Sequence, residues 1–189
     1  MKRRVFVRIP FATAVLGWLA PALAGAQRVL SAVRTGRPPV LVKSGTDRDG
    51  KPFRWLDATF PVKVSGRDTE GRCVVFDTWR PEKVGPPLHL HTDCDEWFFV
   101  LDGTFKVQVG ADVRHLSAGD SLLVPQETPH AFVKTSEGVA RLIVMHQPAA
   151  SMEEYFRTVI GTADQSQEGR RALAERHGMR FVGPPLTPD

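Results

Sequence analysis

Short apolar runs separated by turn residues recur between Val40 and Pro148, at intervals of roughly ten residues. This spacing is typical of the strands of an antiparallel sandwich or barrel. Prolines lie between the runs, where a missing backbone N–H removes no hydrogen bond from a sheet. We therefore predict an all-β fold for this segment. The runs are FRWLDATFPVKVSG, CVVFDTWR, WFFVLDG, TFKVQVG, SLLVP, HAFVKT and VARLIVMH.

One of the intervening turns is predicted to be a tight hairpin. Asp102 and Gly103 separate the run at 97–101 from the run at 104–109. An Asp-Gly pair favours a two-residue turn that needs positive φ at both positions. We therefore expect these two runs to pair as neighbouring antiparallel strands.

The apolar periodicity becomes helical after residue 148. Ser151 and Glu154 form a capping-box pattern at the start of SMEEYFRTVI, which also carries an apolar face. QEGRRALAERHG predicts a second short helix that ends at its final glycine. We expect both helices to pack on the outside of the barrel and to be followed by a proline-rich tail, VGPPLTPD.

The first 26 residues have the features of an export signal peptide. The basic start MKRR precedes a short apolar run and a small-residue cleavage site, AGA. RRVFVR also resembles a twin-arginine signal, which implies bacterial export of a folded protein. The apolar run is shorter than the ~20 residues that a bilayer requires, so no permanent membrane span is expected.

These patterns divide the chain into four segments and predict a periplasmic or secreted protein. The division is residues 1–26 as an export signal peptide, 27–39 as a connector, 40–148 as the barrel and 149–189 as a C-terminal helical extension and tail.

The net charge of the chain resides in its N-terminal segment. The sequence has 25 basic and 21 acidic residues, and four of the basic ones precede Gln27 whereas no acidic residue does. The remainder is therefore balanced, with 21 residues of each sign. A neutral body lacks the basic surface that nucleic acid binding requires, so we expect no nucleic acid partner.

A group of histidines and an acidic residue is the strongest candidate site. His89 and His91 are two residues apart, so both rings lie on one face of a predicted strand. After a polar turn, Glu96 begins the next strand and can fold back toward the same point, and His130 follows a later turn. These types of side chain bind transition metals, with Nε2 at about 2.1 Å from the ion. The alternative is a polar barrel edge that contains histidine.

These residues resemble the two motifs of the cupin superfamily, and the resemblance covers about Val40 to Pro148. It implies a double-stranded β-helix, or jelly-roll barrel, with a metal ion held by the three histidines and the glutamate. Glu127 and Lys134 depart from the second motif, which has glycine and asparagine there. The matching positions are Gly85, His89, His91, Glu96 and Gly103 for the first motif and Gly119, Pro125 and His130 for the second.

A site of three histidines and one glutamate leaves open positions on one divalent transition metal ion. Fe, Mn, Co, Ni and Cu suit such a site better than zinc. The ligand set resembles that of the quercetin 2,3-dioxygenase-like cupins. This implies an oxidoreductase, a metal-dependent dioxygenase that uses O2 on a small aromatic or enol-type substrate, with Glu96 as the catalytic base. An isomerase or decarboxylase, and a non-catalytic periplasmic ligand-binding module, stay open as alternatives.

Other polar residues are expected to lie outside the site. We predict a solvated His115, a surface or capped His146, and two unpaired thiols at Cys73 and Cys94, with one disulfide as the alternative. Glu127 replaces a turn glycine that often needs positive φ, so it reshapes the pocket lip or brings a second carboxylate near it. A homodimer that pairs sheet edges is expected, since pairing hides an edge prone to aggregation.

Overall fold

The computed structural model describes residues 36–162, 164 and 166–189, and in this part of the chain twelve strands form two antiparallel sheets. Two α-helices lie between the last two strands. The strands are β1 (Phe53–Trp55), β2 (Ala58–Phe60), β3 (Val62–Val64), β4 (Val74–Arg80), β5 (Pro87–His91), β6 (Asp95–Asp102), β7 (Thr104–Val109), β8 (Asp112–Ser117), β9 (Ser121–Val124), β10 (His130–Lys134), β11 (Ala140–Gln147) and β12 (Met179–Pro185). The helices are α1 (Met152–Val159) and α2 (Gln167–Arg176).

The order of strands in the two sheets confirms the predicted jelly-roll barrel. The seven-stranded sheet runs β1-β2-β4-β11-β6-β9, with β3 also paired to β4. The five-stranded sheet runs β12-β5-β10-β7-β8. Alternate residues of each strand point into the space between the sheets. On β11, for example, Leu142 and Val144 are buried and Ile143 between them is not. The site residues described below lie on these inward faces.

The turn at Asp102 and Gly103 does not form the predicted hairpin. β6 pairs with β9 and β11, whereas β7 pairs with β8 and β10, so this turn carries the chain from one sheet to the other. Gly103 does have positive φ, at 81°. A Cβ atom there would lie 2.6 Å from the Cβ of Ala140. The glycine is therefore required for close packing at the crossover as well as for its backbone conformation.

Two strands lie in segments without a predicted strand. β8 contains His115 and forms an edge of the five-stranded sheet, with its side chains mostly exposed. β12 forms the opposite edge and comes from the segment interpreted as helical extension and tail. Its prolines interrupt the strand pattern, and an edge strand tolerates them because one row of its N–H groups needs no partner. The barrel therefore extends beyond residues 40–148.

The C-terminal helices were predicted correctly in position but not in every contact. Ser151 is the N-cap of α1, yet its side chain caps no backbone N–H and instead contacts Nδ1 of His177 at 3.0 Å. The predicted capping box is therefore absent. The ring of Phe156 packs against Phe60 and Phe76 in the barrel interior, with ring centroids 5.1 and 5.2 Å apart. α1 thus closes the interior rather than packing only on the outside, as had been expected.

The predicted export signal peptide, residues 1–26, and most of the connector lie outside the described residues. Val40–Asp189 forms one compact unit. Within the described part of this unit, neither helix has the length and hydropathy of a membrane-spanning segment.

Candidate metal centre

The two sheets bring the four predicted ligands together from opposite sides of the barrel. His89 and His91 alternate with Leu90 on β5, so both rings point inward from the five-stranded sheet. His130 is the first residue of β10 and pairs directly with His89 across the ladder. Glu96 lies on β6 in the other sheet. All four predicted residues are therefore where the sequence placed them, and each is 5% exposed or less.

One carboxylate oxygen lies at the centre of this cluster. Oε2 of Glu96 is 2.6 Å from Nε2 of His130, 3.1 Å from Nε2 of His91 and 4.0 Å from Nε2 of His89. The ligand atoms of the four residues all lie within 4.8 Å of one another. Three imidazole nitrogens and one carboxylate thus converge on a single buried point.

Backbone carbonyls orient two of the imidazole rings. Nδ1 of His89 donates a hydrogen bond to the carbonyl of Pro87 at 2.8 Å, and Nδ1 of His130 donates one to the carbonyl of Thr128 at 2.9 Å. A carbonyl oxygen can only accept, so the hydrogen of each neutral ring is on Nδ1. Nε2 of both rings then presents a lone pair to the cluster, as a metal-ligating histidine must.

The contact between His130 and Glu96 requires a cation. Nε2 of neutral His130 and Oε2 of Glu96 are both acceptors, and two acceptors 2.6 Å apart repel each other unless a proton or metal ion lies between them. Burial lowers the pKa of His130, but the hydrogen bond to Glu96 and the charge of that carboxylate raise it, and the net shift is upward. The four side chains therefore fit a metal ion, which would take the place of the proton.

The other three predicted ligands are held in the states that metal binding needs. Burial lowers the pKa of His89 well below its usual value, and the neighbouring imidazoles His130 and His91 lower it further. Burial also lowers the pKa of His91, although Glu96 partly offsets this. Burial raises the pKa of Glu96, but the imidazoles of His146, His130 and His91 more than compensate and hold it well below its ordinary value. Neutral imidazoles and an ionised carboxylate are the forms that bind a metal.

His146 lies against the cluster, and the prediction of a surface or capped histidine was wrong. It pairs with Glu96 across the β6–β11 ladder and is fully buried. Its Nε2 lies 3.4 Å from Oε1 of Glu96, the carboxylate oxygen that faces away from the other histidines. Neither ring nitrogen has a hydrogen-bond partner among the described residues. Its even spacing from Leu142 and Val144 on β11 is the sequence feature that indicates an inward-facing ring.

A small cavity adjoins the cluster. His89, His91 and Glu96 form part of its wall, and Arg80, which was not predicted from the sequence, forms another part. The remaining wall is apolar and largely aromatic, which is typical of a small-molecule site. It includes Trp55, Phe60, Phe132, Val144, Phe156 and Met179.

The other polar residues lie outside the site. Glu127 has φ of 61°, which confirms a left-handed turn position, but its side chain is exposed and not among the cavity residues. His115 is exposed, as predicted. Cys73 and Cys94 are both free, so the alternative of a disulfide is wrong, and Cys94 is not part of the cluster.

Comparison with known proteins relates these strands to one family. The family model of the cupin domain matches residues 71–146, which include all four ligands. A 3-hydroxyanthranilate 3,4-dioxygenase from Xenopus laevis is 32% identical over 79 residues, 42% of this chain and 26% of that protein. Quercetin 2,3-dioxygenase from Bacillus subtilis is 23% identical over 144 residues, 76% of this chain and 41% of that protein.

The matches are not confined to enzymes. The HTH-type transcriptional regulator PuuR from Escherichia coli is 29% identical over 84 residues, 44% of this chain and 45% of the regulator. The chain covers less than half the length of each of these relatives. An RmlC-like cupin from Shewanella frigidimarina shares the fold with a TM-score of 0.51 at 19% identity, over 61% of this chain and 96% of that one. The family model thus identifies a cupin domain in residues 71–146, and the described strands share the jelly-roll fold of the solved cupin.

Proposed function

We propose that His89, His91, Glu96 and His130 hold one divalent transition metal ion and that the protein is a dioxygenase. The observation that carries the metal site is the convergence of three imidazole nitrogens and one carboxylate oxygen, all within 4.8 Å of one another, on one buried point. Fe, Mn, Co, Ni and Cu suit this donor set better than zinc. The proposed substrate is a small aromatic or enol-type molecule, which the largely aromatic wall of the adjoining cavity supports.

When bound, the ion would supply Lewis acidity and redox activity at positions that the protein leaves open. The protein residues would divide the remaining work. The imidazoles of His89 and His130 are fixed by their backbone hydrogen bonds and hold their lone pairs toward one point. Glu96, which forms part of the cavity wall, would accept the hydroxyl proton of the substrate. The apolar wall would exclude water from the reacting atoms.

Two matches support an oxygenase in particular, since both relatives are named dioxygenases. Both are matched over less than half of their length, so the substrate of this protein is part of the proposal. Export to the periplasm and a homodimer, which were predicted from the sequence, belong to the same proposal.

Oxygen uptake tests this function. Protein loaded with Fe, Mn, Co, Ni or Cu is mixed with flavonols, catechols and other small enol-type compounds in an oxygen electrode. We expect uptake with at least one combination, and loss of this uptake in Glu96→Gln. Glu127→Gln is the matched control, because it makes the same chemical change at an exposed carboxylate outside the cavity. Full turnover and full metal content in Glu96→Gln would contradict the proposed role of Glu96.

The match to a transcriptional regulator favours a second candidate, a cupin that binds a small ligand without converting it. The same mixtures, followed by oxygen uptake, product analysis and ligand binding, distinguish the two. Saturable binding of a compound with no product and no oxygen uptake supports the binding module. Product formation without oxygen uptake supports an isomerase or decarboxylase instead.

A further inference from the structure

Arg80 is a buried cation on the wall of the cavity. It is the last residue of β4 and shares the inward face with Val74, Phe76 and Thr78. Its residue exposure is 1%, and it is among the largest fully buried side chains of the described chain. It lines the same cavity as His89, His91 and Glu96. An arginine so placed is rare unless its charge is paired or used.

The protein pairs this charge only weakly. One salt bridge joins Nη1 of Arg80 to Oδ1 of Asp57 at 3.5 Å, the limit of hydrogen-bond distance. The other carboxylate oxygen of Asp57 accepts a hydrogen bond from the backbone N–H of Glu82 at 3.1 Å. Nε of Arg80 is buried and has no hydrogen-bond partner among the described residues. The guanidinium thus keeps donor capacity for another acceptor.

Aromatic rings hold the guanidinium in position beside the cavity. Its central carbon lies 4.6 Å from the ring centroid of Phe132 and 5.5 Å from that of Phe60. Burial lowers the pKa of Arg80 to about 10, and the charges of Asp57 and Glu96 oppose that shift. The side chain is therefore still a cation at neutral pH. A planar fork fixed in an apolar wall is suited to bind a carboxylate with two hydrogen bonds.

The formal charges of the site also favour an anion. A divalent ion with Glu96 would carry a net charge of about +1, since the histidines bind as neutral rings. The positive charge of Arg80 and the negative charge of Asp57 cancel, so this pair adds no net charge. A ligand with one negative charge would therefore leave the buried site neutral, whereas a neutral ligand would leave a buried net charge, which is unfavourable in an apolar interior.

The approach to the cavity carries further positive charge. An outer groove meets the cavity at Trp55, which lines both. Arg54 and Arg170 line this groove, and among the described residues that line it there is no carboxylate. Both arginines are exposed. A groove lined by charges of one sign raises the local concentration of ligands of the opposite sign.

We propose that Arg80 binds an anionic group of the substrate, so that the cavity takes a small aromatic or enol-type molecule that carries a carboxylate. The inference rests on the proposed function for the neighbouring metal site. It restricts the substrate class to acids and assigns the group that recognises the acid. The carboxylate would lie on Arg80 while the reacting end of the molecule lies toward Glu96.

Calorimetric titration with benzoate, and with benzamide as its neutral counterpart, tests this assignment. The proteins are the wild type and a double variant, Arg80→Met/Asp57→Asn, each measured without added metal and after loading with Co(II). The double change removes both members of the ion pair, so that no buried charge is left unpaired and the fold is retained. Circular dichroism and the melting temperature verify the fold. Arg114→Met, at a 55% exposed arginine side chain on β8, is the control.

We expect the wild type to bind benzoate more tightly than benzamide, and the double variant to bind benzoate about 10- to 100-fold more weakly, the factor of one charge-assisted hydrogen bond. Asp57→Asn alone should bind benzoate more tightly than the wild type, because it removes the competing carboxylate. A solely structural ion pair would not produce that gain.

Three results would overturn the proposal: equal benzoate affinity in the wild type and the double variant, equal affinity of the wild type for benzoate and benzamide, or no benzoate binding to either form at millimolar concentration. Failure of Co(II) to bind would instead count against the metal site. The titration without metal would still report on Arg80, so the two proposals can fail separately.

Discussion

Replacement of Glu96 by glutamine should remove most of the stabilisation that a metal ion gives to the fold. Oε2 of Glu96 lies within 4.0 Å of three imidazole nitrogens, and the residue is 4% exposed, so no solvent ligand can easily substitute for it. Loss of a residue that merely supports a ligand costs about 10- to 100-fold in metal affinity. For a direct ligand at the centre of the cluster, we expect a loss of at least about 100-fold.

This loss of metal affinity can be measured as a smaller rise in melting temperature when the metal is added. A metal ion at 100 times its dissociation constant stabilises the wild type by about 2.7 kcal/mol. At the same concentration, a variant with 100-fold weaker affinity gains only about 0.4 kcal/mol. For a chain of this length each kcal/mol raises the melting temperature by about 2–4 °C. The metal should therefore raise the wild-type melting temperature by about 5–11 °C and that of Glu96→Gln by about 1–2 °C.

The assay is thermal unfolding, followed by circular dichroism, with and without Co(II) or Mn(II). Glu127→Gln should respond like the wild type, because its carboxylate is exposed and lies outside the cavity. Equal metal-induced shifts in the wild type and Glu96→Gln would refute the reasoning, as would a shift lost in Glu127→Gln.

Four further predictions concern other parts of the chain. Glu127→Gly should raise the free energy of unfolding by up to about 1 kcal/mol, since φ is 61° there, and urea unfolding would measure it. Asp47→Asn should lower the free energy of unfolding by about 2 kcal/mol at neutral pH. Burial raises the pKa of Asp47, but three backbone hydrogen bonds lower it overall. The stabilisation is therefore present above about pH 4 and is lost as the pH falls through the folded-state pKa, so the effect of the substitution shrinks there. A thiol reagent at pH 8 should modify half-buried Cys73 before Cys94, whose pKa is raised by burial; modification of Cys94 first would contradict this. Protein from the periplasm should begin at Gln27, and N-terminal sequencing that finds the intact segment would contradict the export prediction.

The metal ligands were predictable because most of them lie close together in the sequence. His89 and His91 share a strand face, and Glu96 follows after one short turn, so a few residues of sequence place three of the four ligands. Once the bounds of β4 and β11 are known, the alternation of side chains along a strand also places Arg80 and His146 on the inward face. Their residue types, however, argued for surface positions, because a buried arginine or histidine is uncommon.

Contacts between distant segments were not predictable in the same way. The Asp102-Gly103 pair favours a hairpin locally, but the close approach of Ala140 to Gly103 is a tertiary contact, and the strands on either side enter different sheets. β12 contains Pro184 and Pro185, which argue against a strand unless it is known to be an edge. Its edge position depends on β5, more than eighty residues earlier in the chain.

Elemental analysis of the protein purified from its native compartment, without added metal, tests the central claim most directly. We expect about one transition metal ion per chain in the wild type and little or none in His130→Ala, whose methyl side chain has no lone pair to offer a metal. A folded wild-type protein without a transition metal, or a His130→Ala variant with full occupancy, would contradict this expectation.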